Sequence, residues 1–186
     1  MDGFFMMDET ICQVGAYLRI EAGKEGNGML AAPQQLVEEY GDRLFGLCMH
    51  LCRQRDTAEE LYQETWVRVL MKQGSFRDGE PFEPWLTKIC VNLYRDSLRR
   101  QRLRRFLPLS GLEAAEDPLK ISDDERLSLL DAVGRLPEKL RLAVILVYMQ
   151  GYTERQAGEI LGISVNGVKS RLLRARKLLK EALTDE

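Results

Sequence analysis

The segment Lys169-Ser-Arg-Leu-Leu-Arg-Ala-Arg-Lys-Leu-Leu-Lys180 carries six cationic side chains and no acidic one. It begins five positions after Gly162-Ile-Ser164, which predicts a tight turn between two helices. The residues before this turn, 153–161, also repeat at helical spacing. Two helices joined by so short a turn are typical of a helix-turn-helix, whose second helix lies in the major groove of DNA. The segment therefore predicts a DNA-recognition helix.

The predicted recognition helix divides into an apolar stripe and a polar face. The stripe, which recurs at helical spacing and is expected to pack in the core, consists of Val168, Leu172, Ala175 and Leu179. The opposite face combines cations that can bind phosphates with short polar groups that can reach base edges. Its members are Asn166, Lys169, Ser170, Arg174 and Lys177.

Local capping signals support both helices. Ser164 is the expected N-cap of the recognition helix, because a serine oxygen can accept a backbone N–H of the first turn. Thr153 and Gln156 have the spacing of a capping box at the start of the preceding helix. The alternative interpretation is a solvated basic helix without a ligand, but the turn and the unopposed charge favour DNA binding.

Charge is unevenly distributed along the 186 residues, of which 45% are hydrophobic and 30% charged, as in a soluble globular protein. The formal net charge is -2 and the isoelectric point is near 5.7, whereas domains that hold DNA alone usually have isoelectric points above about 9. Arginines crowd the stretch 95–105, and acidic residues crowd the stretch 113–125. The average charge therefore conceals two basic surfaces and an acidic link.

The four cysteines lie inside apolar helical patterns, at positions 12, 48, 52 and 90, and form no Cys-x-x-Cys pair. We expect reduced thiols in a cytoplasmic protein without a secretory leader. Cys48 and Cys52 share a helix face that His50 does not. Buried thiols and a surface histidine are therefore favoured over a structural metal site, which needs four convergent ligands. No apolar run approaches the roughly 20 residues of a membrane span.

Helical periodicity predicts an all-α chain with two small helical domains joined by a flexible linker. The predicted divisions are an N-terminal extension (1–32), a first domain (33–105), a linker (106–121) and a second domain (122–186). The first domain holds three helices with breaks near Arg55 and Gly74, the second of them starting at a capped Asp56-Thr57. The second domain holds two helices, the later one opened by Pro137, followed by the helix-turn-helix. Sustained period-two alternation is absent from the sequence, so no sheet is expected.

The N-terminal extension, 1–32, has two open interpretations. Under the first interpretation, translation of the native protein starts at Met29. The reason is that Lys24-Glu25-Gly26 can be encoded by a purine-rich string that resembles a bacterial ribosome-binding site. Under the second, the segment is a small helix or a disordered tail. Mass spectrometry of protein made from its own gene distinguishes them, since a peptide upstream of Met29 would refute the first.

Two groups of motifs carry a family resemblance. Ala58-Glu-Glu-Leu-Tyr-Gln-Glu-Thr-Trp66 looks like a polymerase-docking helix, and Trp85-Leu-Thr-Lys-Ile-Cys-Val-Asn-Leu-Tyr-Arg-Asp96 looks like a promoter-opening helix. Leu136-Pro-Glu-Lys-Leu-Arg141 and the stretch from Gly162 to Leu172 are similar to a promoter-reading region. In this order, between Gln35 and Leu183, the motifs resemble the extracytoplasmic-function (group IV) sigma factors of the sigma-70 family, which keep only sigma regions two and four.

The resemblance implies a specificity subunit of RNA polymerase, not an enzyme, with no cofactor and no metal. The first domain would be the three-helix core of sigma region 2, and the second would be sigma region 4. The implied partners are core RNA polymerase, through its beta-prime clamp helices and beta flap, promoter DNA and a cognate anti-sigma factor. The residues implied in core-polymerase binding are Glu60, Gln63 and Glu64. Those implied in minus-ten binding are Phe76, Arg77, Lys88, Asn92, Arg95 and Arg99. Those implied in minus-thirty-five binding are Ser164, Asn166, Lys169, Ser170, Arg171, Arg174 and Lys177.

Three aromatic residues near the minus-ten set have different expected roles. Phe76 is expected to stack on a base if its ring is exposed, which contributes roughly 1 to 3 kcal/mol per base. Trp85 and Phe82 fall on the apolar side of the third helix and are expected to pack in the core.

Two glycines depart from the family pattern. Gly158, with Ala157 before it, stands where the family usually has a larger aliphatic residue followed by alanine. This pair is expected to weaken its helix, because glycine costs roughly 1 kcal/mol relative to alanine. Gly167 replaces a frequent threonine, which leaves the identity of one base contact open.

Other classes of function stay open beside the sigma factor. An autonomous helix-turn-helix regulator, with the front half as a dimerisation or sensor unit, would footprint DNA without polymerase. An anti-sigma or adaptor protein that acts only through protein contacts is disfavoured, because the unopposed basic helix indicates binding to nucleic acid. An enzyme is disfavoured because the sequence has no nucleophile elbow, P-loop or paired metal-binding carboxylates, and no histidine beyond His50.

Overall fold

The computed structural model describes residues 33–77, 79–106 and 125–184. These residues fold into seven α-helices and contain no β-strand, which confirms the all-α prediction. The helices are α1 (Pro33–Cys52), α2 (Arg55–Met71), α3 (Phe82–Phe106), α4 (Glu125–Arg135), α5 (Glu138–Val144), α6 (Glu154–Leu161) and α7 (Val165–Thr184). A 3-10 turn follows α2 at Gln73–Ser75, and a π-helical turn continues α5 at Ile145–Met149.

The chain divides into two compact units, with the boundary between Asp96 and Ser97 inside α3. The domain limits proposed from the sequence, 33–105 and 122–186, remain predictions. Apart from Phe106, which ends α3, the predicted linker lies outside the described residues. The predicted N-terminal extension also lies outside them.

The first unit is built from α1, α2 and the first part of α3. Each helix contributes an apolar stripe to one core. Its large buried side chains include Leu44, Leu47, Leu51, Leu61, Trp66, Val69, Leu86, Ile89 and Val91. Because full burial of one such side chain contributes about 1.5–3 kcal/mol, these stripes hold the helices in place and leave their polar faces in solvent.

The connection between α1 and α2 turns at Arg53, whose φ is 64°. Because the chain changes direction at Arg53, α2 can begin soon after it, at Arg55, with Gln54 as the N-cap. The start predicted at a capped Asp56-Thr57 is therefore wrong. Thr57 lies inside the first turn, where its hydroxyl donates to Gln54 Oε1 at 3.4 Å.

The second unit is organised around α7, against which α4, α5 and α6 all pack. Its buried side chains include Leu142, Ile145, Leu146, Ala157, Ile160, Val168, Leu172 and Ala175. Pro137 is the N-cap of α5, and its carbonyl accepts the N–H groups of Leu140 and Arg141 at 2.8 and 3.0 Å. Proline suits this place because it has no N–H of its own to satisfy. Three supporting helices thus fix the orientation of α7.

Candidate nucleic-acid interface

One glycine and one serine fix the turn between α6 and α7. Gly162 ends α6 with φ 68° and ψ 39°, a left-handed conformation that glycine adopts without steric cost. The Ile163 N–H donates to the Gly158 carbonyl at 2.9 Å. Ser164 Oγ accepts the Gly167 N–H at 3.1 Å, which confirms the predicted N-cap of the recognition helix.

The capping box at the start of α6 is also confirmed. The Gln156 N–H donates to Thr153 Oγ1 at 3.3 Å, and the Thr153 N–H donates to Gln156 Oε1 at 3.0 Å. Two backbone donors that no helical carbonyl can reach are satisfied in this way. Both helices of the helix-turn-helix therefore begin at defined residues.

Gly158 permits the close approach of the turn to α6. A β-carbon at this position would lie 2.8 Å from the Ile163 carbonyl oxygen, which is closer than real β-carbons come. The expectation that Gly158 simply weakens α6 therefore misses its packing role. Gly167 differs, because a β-carbon there would lie 3.4 Å from Ser164 Oγ, in ordinary contact.

α7 presents the predicted polar face to solvent. Val168, Leu172 and Ala175 are buried as predicted, and Leu179 is half-buried near the end of the stripe. The exposed candidates for DNA contact are Ser164, Asn166, Lys169, Ser170, Arg174 and Lys177. Arg171 is half-buried and lies toward the packed side. The structure therefore brings six of the seven predicted minus-thirty-five residues to the solvent-exposed side of the turn and α7.

The exposed cations of α7 differ in their surroundings. Lys169 Nζ lies 3.7 Å from Glu154 Oε2 on α6, and Lys177 Nζ lies 3.9 Å from Glu181 Oε1 on α7 itself. Within the part of the chain that the structure describes, the Arg174 guanidinium is exposed and makes no ion pair. Arg174 can therefore engage DNA without first breaking an ion pair to a described residue.

Leu173 is a surface residue that the sequence analysis missed. It is 66% exposed, although its neighbour Leu172 is buried. Leu173 lies four residues after Lys169 and four before Lys177, so it occupies the polar face at helical spacing. The exposure of Leu173 could have been predicted from the sequence, because Leu173 falls outside the apolar stripe. An exposed aliphatic group there can contact a thymine methyl group.

A second basic face runs along α3. Lys88, Asn92, Arg95 and Arg99 are all exposed and recur at intervals of four, three and four residues. They form one row about 16 Å long at the helical rise of 1.5 Å per residue. The predicted minus-ten residues of α3 thus share one face.

Phe76 and its neighbours form an aromatic cluster of Phe76, Phe82 and Trp85. The Phe76 ring lies 5.2 Å from Trp85 and 5.7 Å from Phe82 between ring centroids, edge to face in both contacts. Phe76 is half-buried and not freely exposed, so only part of its ring is available for stacking. Phe82 is buried as expected, whereas Trp85 packs in the cluster but stays half-buried. Arg77, beside the cluster, is exposed.

The predicted docking face of α2 combines polar and apolar groups. Glu60 and Gln63 are exposed and Glu64 is half-buried. Val67, 37% exposed, and Met71, 66% exposed, continue the same face at helical spacing, and the sequence analysis missed Met71. Exposed large apolar groups, methionine among them, are typical of protein-binding surfaces, and the acidic groups beside them repel the phosphates of nucleic acid.

Two of the three described cysteines form a buried thiol pair in the core of the first unit. Cys48 Sγ and Cys90 Sγ are 3.7 Å apart and fully buried, as expected of core thiols, and Cys52 is half-buried. The hydrogen bond with Cys90, together with burial, raises the pKa of the Cys48 thiol, so its nucleophilic thiolate form is disfavoured. His50 is half-buried and not at the surface as predicted, and burial lowers its pKa.

The described residues contain neither a metal-binding cluster nor a membrane-spanning helix. No three side chains of the metal-binding types converge there on one point. None of the helices there carries an apolar stretch of membrane-spanning length.

Two regions of the chain match known protein families. Residues 36–104 match Sigma-70 region 2, and residues 126–179 match Sigma-70 region 4. The ECF RNA polymerase sigma factor SigE of Mycolicibacterium smegmatis is 35% identical over 156 residues, which are 80% of this chain and 60% of that protein. The RNA polymerase sigma factor CarQ of Myxococcus xanthus is 30% identical over 162 residues, which are 84% of this chain and 92% of that protein.

A solved structure has the same fold. The sigma factor RpoE of Bartonella quintana, crystallised with the anti-sigma factor NepR, gives a TM-score of 0.67 at 27% identity and covers 81% of this chain and 96% of that one. Together with the two matched regions, these relatives show that the chain belongs to the extracytoplasmic-function sigma factors of the sigma-70 family. Proteins of this family are transcription initiation factors.

Proposed function

We propose that this chain is a group IV sigma factor that binds core RNA polymerase, recognises minus-thirty-five and minus-ten promoter elements and promotes DNA melting. The observation that carries the proposal is the presence of two exposed basic faces, one on α3 and one on α7, within the two matched sigma regions. Only residues 105–125 separate the two matched sigma regions, which is too few for a further domain of ordinary size. This supports a factor in which no further domain separates regions two and four.

The face of α2 supports docking on the polymerase. We infer that Glu60, Gln63 and Glu64 contact the beta-prime clamp helices, with Val67 and Met71 supplying apolar contact area. The second unit would contact the beta flap. Neither contact requires covalent chemistry, so the chain acts as a binding subunit and not as an enzyme, without cofactor or metal.

The minus-ten element is assigned to α3 and the loop before it. Lys88, Asn92, Arg95 and Arg99 would hold the phosphates and base edges of the opening strand. Extrusion of a base from the duplex costs a few kcal/mol, which stacking and phosphate contacts must offset. The half-buried Phe76, with Arg77 beside it, would provide a stacking edge supported by the aromatic cluster.

The minus-thirty-five element is assigned to the N-terminal half of α7. Ser164 directs the positive end of the helix dipole toward DNA. Asn166, Ser170 and Leu173 are short or apolar groups suited to base edges, whereas Arg174 and Lys177 can bind either bases or phosphates. Arg171, half-buried, is suited to a phosphate beside the groove. The remaining candidate is Lys169, at the centre of the face.

The proposed regions, the partners and the cellular location follow from the proposed sigma-factor function. We infer that residues 33–105 form region 2, that 106–121 form the linker and that 122–186 form region 4. A cognate anti-sigma factor is proposed because the similar sigma factor RpoE of Bartonella quintana was crystallised with one. Core polymerase and promoter DNA are cytoplasmic in bacteria, so the proposed location is the cytoplasm.

Run-off transcription with purified core polymerase, across a promoter library, tests the proposal. We expect transcripts that depend on both the chain and a defined pair of promoter elements. The rival, an autonomous helix-turn-helix regulator, predicts a DNase footprint by the chain alone that polymerase does not improve. Such a footprint, with no promoter-dependent transcript, would overturn the sigma-factor proposal.

A further inference from the structure

An ion pair links the two helices of the helix-turn-helix on its exposed side. Lys169 Nζ lies 3.7 Å from Glu154 Oε2. Glu154 is the first residue of α6, and Lys169 lies in the second turn of α7. The Lys177–Glu181 pair, in contrast, joins neighbouring turns of α7 itself. The Lys169 ammonium is therefore attracted toward a carboxylate whose backbone is fixed by the capping box of α6.

The geometry of this pair leaves the lysine available for DNA. A separation of 3.7 Å is too long for a hydrogen bond but short enough for electrostatic attraction. Lys169 therefore keeps all three N–H donors of its ammonium for other acceptors. Both side chains are partly exposed, at 59% for Lys169 and 39% for Glu154. The carboxylate thus restricts where the ammonium can move without occupying its donors.

The carboxylate also affects which DNA group Lys169 can bind. A lysine in the first turns of a recognition helix can reach either a base edge or a phosphate. A phosphate that approached Lys169 would also approach Glu154, and two negative charges repel each other. The N7 and O6 acceptors of guanine carry only partial charges, so the same carboxylate opposes them far less.

We propose that Glu154 is a positioning residue that directs Lys169 to a guanine edge in the minus-thirty-five element and away from the phosphate backbone. This inference rests on the proposed function, because it requires α7 to lie in the major groove of the promoter. Glu154 itself need not touch DNA. Its removal should reduce base discrimination and at the same time improve binding to promoters that lack the guanine.

The test compares two variants of the full chain with the same change of charge on the same helix. Glu154→Gln removes the acid beside Lys169, and Glu159→Gln removes an acid that lies 3.9 Å from Arg155 on α6. Run-off transcription with core polymerase is measured on promoters carrying each base at each minus-thirty-five position. We expect Glu154→Gln to lower the preference for guanine at one position by about two- to fivefold, the size of an exposed ion-pair effect. Glu159→Gln should leave that preference unchanged.

A double-mutant cycle shows whether Glu154 acts through Lys169. In the Lys169→Ala background, Glu154→Gln should no longer alter the base preference, because the group that it positions is absent. An equal effect in both backgrounds, or an equal effect of Glu159→Gln, would overturn the inference and indicate a general charge effect. A wild-type chain that transcribes from promoters without a guanine preference at any minus-thirty-five position would also overturn it. A wild-type chain without promoter-dependent transcription would instead contradict the proposed function itself.

Discussion

Single residues decide how closely the helices of the DNA-binding unit approach and which side chains reach solvent. Gly158 lacks a β-carbon where the Ile163 carbonyl oxygen passes. Leu172 and Leu173 are chemically identical neighbours, yet one is buried and the other is 66% exposed. The role of each residue therefore depends on its position relative to α7 and the turn.

Gly158→Ala is expected to destabilise the protein by about 1 to 3 kcal/mol, because the new β-carbon must displace the backbone of the turn. Thermal or denaturant unfolding measures the loss. The matched control is Gly46→Ala in α1, where no atom lies within 4 Å of the added β-carbon. That change should be neutral or stabilising by up to about 1 kcal/mol. Equal effects of the two substitutions would refute the packing role of Gly158.

Leu173→Ala should leave the unfolding free energy within about 0.5 kcal/mol of the wild type, since its side chain is largely exposed. It should still lower promoter-dependent transcription severalfold, at promoters with thymine in the minus-thirty-five element. Leu172→Ala should instead cost about 2 to 5 kcal/mol of stability, because it leaves a cavity in the core. A stable Leu173→Ala variant with full activity on every promoter would remove Leu173 from the interface.

Helix faces assign different tasks to different elements. The exposed face of α7 is basic, that of α3 is mainly basic and also carries Asn92 and Asp96, and that of α2 is acidic with exposed Val67 and Met71. Basic faces attract phosphates, whereas a mixed acidic and apolar face favours protein. Each face can therefore be disabled while the buried stripe of the same helix keeps the fold intact.

Charge reversal on α7 should abolish promoter selection and leave core-polymerase binding unchanged. Arg174→Glu with Lys177→Glu is expected to lower promoter-dependent transcription at least about tenfold, since one good base contact alone is worth roughly 1 to 3 kcal/mol. Core-polymerase binding by the same variant, measured in a pull-down, serves as control, because both substituted residues lie on α7 and not on the proposed docking face of α2. Equal loss of core binding and promoter selection in a pull-down would contradict this division of labour.

The face of α2 is tested by Gln63→Ala with Glu64→Ala, which should weaken the affinity for core polymerase while thermal stability changes little. Gln35→Ala with Glu38→Ala removes the same two side-chain types from exposed positions of α1. Affinity is measured by titration of labelled chain with core polymerase. Undiminished affinity, or an equal decrease in the control, would exclude the docking assignment.

At the scale of the whole molecule, the proposed function depends on two modest DNA-binding units in one chain. The net charge of -2 shows that the chain as a whole is not strongly attracted to DNA. Two weak contacts become selective when a common carrier holds both at a fixed separation, since the second contact then occurs at a high effective concentration. Core polymerase is the proposed carrier.

Promoter spacing should therefore control activity as strongly as promoter sequence. Insertion of five base pairs between intact minus-thirty-five and minus-ten elements rotates them by about half a helical turn. Both units can then no longer engage together, and run-off transcription should fall to the level of a promoter with one element deleted. Five substitutions within the original spacer are the control and should preserve activity. Activity that survives the insertion would show that the two units act independently.

The sequence by itself determined the helical class of the fold and the caps of α6 and α7. Repeats of three and four residues and the Thr153–Gln156 and Ser164 caps act within one or two helical turns, so they can be identified without knowledge of the packing. Family motifs then located the candidate faces. The start of α2 was misplaced because a non-glycine residue, Arg53, adopts the left-handed turn conformation, which no local rule predicts.

Only the tertiary structure decided which candidates are accessible and which are held by neighbours. The half-buried ring of Phe76 depends on Phe82 and Trp85. The packing role of Gly158 and the ion pair of Lys169 with Glu154 depend on how α6 meets α7. The physical reason is that periodicity fixes the direction of a side chain around its own helix, whereas its contacts depend on which other helix packs there.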